Sequence, residues 1–405
     1  MSMARHAHTL RPWVIFPLLM PYAIAGGYMT VALIFFLSEA GVSTAAVAGF
    51  VTIAILPQNF KFLWAPLIDA TLGPKRWYAI GIAVTVVTLI ALGAITPTSA
   101  TLPLLTSLAV ICGVATTLVS LPTEIITAYD IADEHKGAAA GWYQAANTGG
   151  GTVGGGFAIL IAQQSMPQIV PAVVLAIVCV FCGLFVLLAG SRPPPSSKEN
   201  GINGLRELAL DLWSLLRSRP GALAILLVLL PIGTGGIWNL LPALAKDWHA
   251  GAHEVLIVSG LLGGGAQIVG SLAGGFLSDR VGKMLFYCAS GLALSIAAVA
   301  MAFGPRTPEG FVLLSLIYAF TMGSCYGAFT AVVLEAIGKG AAATKFTLMI
   351  CISNFGVQAV QMFDGIVHDS RGVDAMLIGE ALLGVAGIVL FVAVIIVTRR
   401  AWLCR

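Results

Sequence analysis

Ionisable side chains inside long apolar runs are costly, and they usually meet a cavity, a proton or a partner. Glu124 is one, set two residues after Pro122 in Leu-Pro-Thr-Glu-Ile-Ile-Thr127, with Asp130 two turns on. A carboxyl in such a place can take up and release a proton and so couple a movement to a proton gradient. The other reading is a fixed ion pair, with Lys61 or Lys136 as the cation. Lys61 follows Gln58 and Asn59 among Phe60, Phe62 and Trp64; it can meet an anionic group, pair with an acid, or snorkel along apolar surface. Asp364 and His368 stand four apart, on one helix face if the segment is helical, and can relay a proton, unless both are simply solvated at the rim. His249 and His253 share that spacing but lack the further ligands a metal site needs. No nucleophile and base converge anywhere, so the sequence predicts no enzyme, no cofactor and no metal.

The elements that hold these residues follow from composition. The chain has 405 residues, 58% hydrophobic and 10% charged, against about 25% charged in a soluble domain. Disorder and collagen are excluded on the same grounds. A spanning helix needs about 20 apolar residues, so the length allows about twelve. The runs lie near 12–37, 44–65, 77–95, 102–126, 137–162 and 169–190, then near 221–245, 255–277, 284–303, 311–334, 342–366 and 375–397. The seven cysteines sit almost entirely within these runs and read as small buried hydrophobes. Net charge is only +3, which calls for no nucleic acid.

Lys and Arg are distributed unevenly. With the N-terminus inside, seventeen fall in cytoplasmic segments and three (Lys246, Arg306, Arg371) outside, which predicts a multi-pass plasma-membrane or inner-membrane protein with both termini cytoplasmic. Residues 191–219 form the one long polar stretch. Leu205, Leu208, Leu212 and Leu215 recur there at helical spacing, predicting a surface helix in a linker. The expected organisation is a bundle over 1–190, the linker over 191–219 and a second bundle over 220–405.

The halves echo one another. Asp69-Ala-Thr-Leu-Gly73-Pro-Lys75-Arg76 returns as Asp279-Arg280-Val-Gly282-Lys283 at an offset of 210, and Lys-Gly-Ala-Ala-Ala occurs at both 136–140 and 339–343. Two six-helix halves about a pseudo-twofold axis make a transporter architecture. Glu335 lies 211 residues after Glu124, but the pentapeptide offset of 203 aligns it with Ala132 instead, making it a mouth or gate residue.

The run Gly275-Phe-Leu-Ser-Asp279-Arg280-Val-Gly282-Lys283 resembles the loop signature of the major facilitator superfamily. That resemblance implies an all-α integral membrane fold with twelve transmembrane helices in two pseudo-symmetric six-helix bundles. It also implies gating by Asp69, Lys75 and Arg76, and by Asp279, Arg280, Lys283 and Glu335. Glycines at 149–151 and 154–156, and at 263–265, 270 and 274–275, resemble the family's sliding contact between helices 5 and 8. More narrowly, Phe60-Lys61-Phe-Leu-Trp64-Ala-Pro66-Leu-Ile-Asp69 is similar to AmpG-type muropeptide permeases and related acetyl-CoA and siderophore importers. Where that branch carries a second acid after span 4, this chain has Thr127.

Polar and aromatic residues on the expected cavity lining are Tyr28, Asn59, Lys61, Tyr143, Gln144 and Asn147 in the first half. In the second they are Trp238, Asn239, Gln267, Asn354 and Gln358. Amides and aromatics with few charges suit an uncharged or zwitterionic organic solute. The expected function is secondary transport of a small organic solute by alternating access, with proton-coupled import ahead of export or facilitated uniport. The expected partners are that solute, protons and the lipid bilayer, and the expected state is a monomer.

Overall fold

Helix is the regular structure throughout the described part of the computed structural model, residues 10–162, 164, 167, 169–190, 213, 217–259, 261–337 and 342–403. That is what a bilayer requires, since a helix satisfies its own backbone where water is absent. Eight helices are long and apolar enough to cross a membrane: Pro12–Glu39, Pro74–Ala94, Leu102–Asp130, Ile169–Leu188, Lys283–Phe303, Pro308–Ile337, Ala342–Arg371 and Val373–Val397. The four other expected spans fall where helix is shorter, more polar or interrupted. Thr44–Phe60 stops at a 3₁₀ turn, Lys136–Thr152 runs into a π-helical turn at Val153–Phe157, and Arg219–Leu229 breaks before a 3₁₀ turn at Gly236–Leu240. Ala252–Ser259 and Leu261–Val281 make up the fourth. The linker helix expected over 205–217 lies outside the described residues apart from Trp213 and Arg217.

The chain divides into two compact units. The first takes Met1–Ala139, Ala146–Leu212 and Ile337–Thr347; the second takes Ala140–Ala145, Trp213–Ala336 and Leu348–Arg405. Two short segments, 140–145 and 337–347, thus group across the expected boundaries at 190 and 220. In the first unit Pro74–Ala94 packs along Leu102–Asp130 and Ile169–Gly183, and the buried Tyr78 hydroxyl donates to Leu18 O at 2.8 Å. In the second, Lys283–Phe303 packs along Val373–Leu403 around Leu294, Met301, Phe311, Tyr318 and Trp248. All six described cysteines are free thiols, five of them buried.

The glycine-rich segments pack inside their own units. A Cβ on Gly154 would stand 1.9 Å from Ile24 O, and one on Gly27 2.1 Å from Gly151 O, so the first span and the Lys136–Thr152 region touch backbone to backbone. Both contribute a π-helical turn there, Tyr28–Ala32 and Val153–Phe157, which pack on each other. In the second unit Gly270 and Gly274 lie against Phe320 and Ser324 of Pro308–Ile337, while Gly141 faces Ser271. Of the expected contact between helices 5 and 8, the second unit shows Gly141 against Ser271, Leu272 and Gly275.

The duplicated motif reappears as one backbone shape used twice. Gly73 (φ +80°, ψ 151°) precedes Pro74–Ala94 and Gly282 (φ +104°, ψ 126°) precedes Lys283–Phe303. Side chains other than hydrogen rarely tolerate that region. Gly282→Ala is therefore expected to cost about 1–3 kcal/mol, read as a lowered midpoint in thermal unfolding of detergent-solubilised protein, with Gly265→Ala, where a Cβ meets open space, as the control.

Candidate functional site

The first unit builds its buried ionic site on a kink. Pro57 lies inside Thr44–Phe60, and Phe60 leaves helical geometry (φ −105°, ψ 6°), so the chain passes through a 3₁₀ turn at Lys61–Leu63. It then restarts as Ala65–Ala70 with Pro66 in the first turn, where a missing N–H costs nothing. Trp64 fixes the turn by donating its indole N–H to Thr117 Oγ1 at 2.9 Å. The result places Lys61 inside the protein, 4% exposed, rather than snorkelling. Opposite it stands Glu124, fully buried in Leu102–Asp130.

Lys61 Nζ meets Glu124 Oε1 at 2.6 Å, and Glu124 Oε2 accepts from the Thr347 hydroxyl at 3.2 Å. Thr347 belongs to the 337–347 segment that groups with the first unit. Of the two cations the sequence offered, Lys61 is the partner; Lys136 pairs instead with the exposed Asp133 at 2.9 Å. Two charges withdrawn from water hold together because each cancels the other, and removing one strands its partner.

Asp69 lies at the end of the short helix that follows the kink. Its carboxylate accepts from Ala343 N (3.2 Å), Thr344 N (2.9 Å) and the Thr344 hydroxyl (2.7 Å), so it caps the start of Ala342–Arg371 from a distant part of the chain, satisfying N–H groups that a helix cannot pair internally. Burial pushes the Asp69 carboxyl above its ordinary range, while those hydrogen bonds and the charge of Lys345 pull it back down. Of its expected companions, Lys75 donates to Leu187 O at 3.4 Å. In the second copy Lys283 lies 3.8 Å from Asp279 and 3.4 Å from Glu335, joining three of the four expected gate residues in one chain of charge; Arg280 is exposed.

Asp364 and His368 are not brought together. The His368 ring lies 3.3 Å from Asp369 on an exposed face, whereas Asp364 is fully buried and lies beside Glu380 of Val373–Leu403. Glu380 in turn accepts from the Tyr318 hydroxyl at 2.7 Å and from Ile237 N at 2.9 Å. Glu380 is absent from the residues singled out above, although an acid six residues into the apolar run 375–397 is itself a signal. Thr347 and Tyr318 had none, because nothing in their local patterns marks them.

The expected lining residues divide by exposure. Tyr28 is fully buried within its π-helical turn, and its hydroxyl has no hydrogen-bond partner among the described residues. Tyr143 and Gln144 are buried, the latter donating to Thr330 Oγ1 at 2.7 Å, and Gln267 is buried as well. Asn59 and Trp238 are half-buried, with the Trp238 ring near Gly263, whereas Asn147, Asn354 and Gln358 are exposed. The side chain of Asn239 lies outside the described residues. The Tyr22 hydroxyl donates to Gln58 Oε1 at 3.2 Å, one helical turn before Lys61.

The sequence profile described as the Major Facilitator Superfamily matches residues 12–360. The chain belongs to that superfamily. Its members are secondary transporters, and the eight apolar helices agree with a multi-pass membrane protein. Among solved structures, a variant of the E. coli fucose:proton symporter is similar with a TM-score of 0.68 and 16% identity, covering 95% of this chain and 98% of that one. The human organic anion transporter MFSD10 (TETRAN) is similar with a TM-score of 0.67 and 16% identity, covering 96% and 100%. At such identities the likeness is one of fold. A search of curated protein sequences returned no match.

Proposed function

We propose that this major facilitator protein imports a small organic solute together with protons by alternating access, and that Lys61 and Glu124 form its load-and-release site. The observation that carries this reading is the buried 2.6 Å ion pair set at a helix kink. When a proton or an anionic group of the solute arrives, it competes for one member of the pair: a proton neutralises Glu124 and frees Lys61, and a solute anion on Lys61 frees Glu124 to take a proton. Proton and solute anion together leave the buried site neutral, whereas either alone would leave a net charge, and neutrality is the condition for moving the site through a low-dielectric interior. Within the second unit, the exposed amides of Asn354 and Gln358, four residues apart on Ala342–Arg371, support a water-lined face, since amides at span depth facing lipid would go unsatisfied.

The Phe60–Asp69 run supports placement near the AmpG-type permeases in a bacterial inner membrane with cytoplasmic termini. The solute class is accordingly drawn from peptide-linked sugars and related organic acids. Fucose:proton symport and organic anion transport by the proteins of similar fold are in keeping with proton coupling and with an anion-binding Lys61.

The test is proton movement in proteoliposomes on adding muropeptides, siderophores, amino sugars or acyl-CoA. Solute-triggered alkalinisation of the outer medium is expected in the wild-type protein and its loss in Glu124→Gln. Uptake that continues with unchanged proton movement in Glu124→Gln would remove Glu124 from the coupling step, and solute driven outward by an inward proton gradient would make the protein an exporter.

A further inference from the structure

A second pair of ionisable groups lies deep in the other unit, unused by the Lys61–Glu124 reading. Asp364 and Glu380 converge on one backbone break, Asp364 Oδ2 lying against Gly236 and Glu380 Oε2 accepting from Ile237 N, and the two carboxyls act on one another there. Asp364 is seven residues before the end of Ala342–Arg371, and Glu380 seven after the start of Val373–Leu403, so each lies about 10 Å in from the connecting turn. They are 0% and 6% exposed.

Their surroundings differ in kind. Glu380 Oε1 accepts from the Tyr318 hydroxyl at 2.7 Å and Oε2 from Ile237 N at 2.9 Å. A donor on each oxygen makes the setting of an anion. No N–H or O–H among the described residues reaches either oxygen of Asp364. The carboxyl of Glu380 beside it is itself an acceptor when ionised. A Cβ on Gly236 would fall 2.4 Å from Asp364 Oδ2, so the oxygen is seated against the backbone of the break.

The titratable groups facing the pair are Tyr318 and Tyr326 of Pro308–Ile337. No Lys, Arg or His among the described residues stands with them. Two bare carboxylates in contact without a cation repel strongly in a dry interior. One proton changes the contact from acceptor against acceptor to O–H donating to O⁻. The N–H groups aimed at Glu380 favour a proton over a metal cation, whose ligands would have to present oxygen lone pairs instead.

We propose that Asp364 and Glu380 form a proton-binding site in the second unit, separate from Lys61–Glu124, in which one proton is shared, carried on Asp364 and donated to Glu380. The proton also holds the break in the unit's first span in place. Ile237, at its far edge, donates to Glu380, and a second charge on Asp364 would push the two carboxyls apart and loosen that grip. A cavity of about 10 Å³, lined by Glu380, Thr234, Ser295 and Gly384 among others, has about the space of one water beside Glu380.

The test is infrared spectroscopy of the purified full-length protein in lipid at neutral pH, in choline chloride. The expected result is a C=O stretch of a protonated carboxyl that shifts in D₂O, is lost in Asp364→Asn and is kept in Glu124→Gln. Absence of such a band from the wild-type protein overturns the proposal without recourse to any variant. So does a band that survives in Asp364→Asn shown to be folded by circular dichroism and monodisperse elution. Disappearance of the wild-type band on replacing choline by sodium would mean that the pair takes a metal cation, which also overturns it. No arm uses a solute, so a chain that transports without protons would leave this result standing.

Discussion

Lys61→Met should destabilise the protein by about 3–5 kcal/mol, because it leaves the fully buried Glu124 charged and without its cation. The thioether fills most of the lysine's volume, so the loss reads charge rather than a hole. Glu124→Leu should cost a similar amount by taking the carboxylate away from the ammonium. The double variant removes both charges and should recover most of the loss, since an apolar pair of similar volume is often as stable as a buried ion pair. Unfolding of each variant in mixed micelles, assembled into a double-mutant cycle, gives the coupling. Losses that simply add would mean the two groups are held by other partners. Recovered stability with no transport in the double variant would separate the pair's structural role from its functional one.

Gly154→Val is expected to have the next largest effect, at or above about 3 kcal/mol, the upper end for forced overpacking. Even a single Cβ there would lie 1.9 Å from Ile24 O and 2.7 Å from its carbonyl carbon, and backbone has no rotamer to give. The first span must therefore move as a whole, away from the π-helical turn that Tyr28–Ala32 packs against Val153–Phe157. Gly156→Val, two residues on, meets open space and should change stability little. Equal midpoints for the two variants in thermal unfolding would show that the backbone contact carries no weight.

The membrane class, the duplicated motif and the family could be read in the sequence because hydropathy and Gly-Asp-basic spacing are local patterns. The buried ionic site was half visible. Lys61 and Glu124 stood out as charges in apolar runs, and pairing was among the readings of each, but Thr347 lies 223 residues from Glu124 in an unmarked Ala/Thr segment. The Asp364–His368 spacing was sound helical arithmetic, yet periodicity says which residues share a face and not which way that face turns. Here it carries Asp364 inward to Glu380 while His368 stays half-buried beside Asp369. The interruptions divide in the same way. Pro57, Pro66 and the Pro231–Gly236 region announce breaks, whereas the π-helical turns have no residue signature and arise from how two helices meet.

The break in the second unit's first span has a mechanical meaning. Two carbonyls that a continuous helix would have used are taken up by hydroxyls from neighbouring helices, Tyr287 on Ile232 O at 2.6 Å and Tyr326 on Thr234 O at 2.7 Å, while Glu380 holds the Ile237 amide beyond. Three separate rods thus grip one joint at three points. A joint held this way does not pivot alone: torque on either half of the span is handed to all three rods, and they must yield together or not at all.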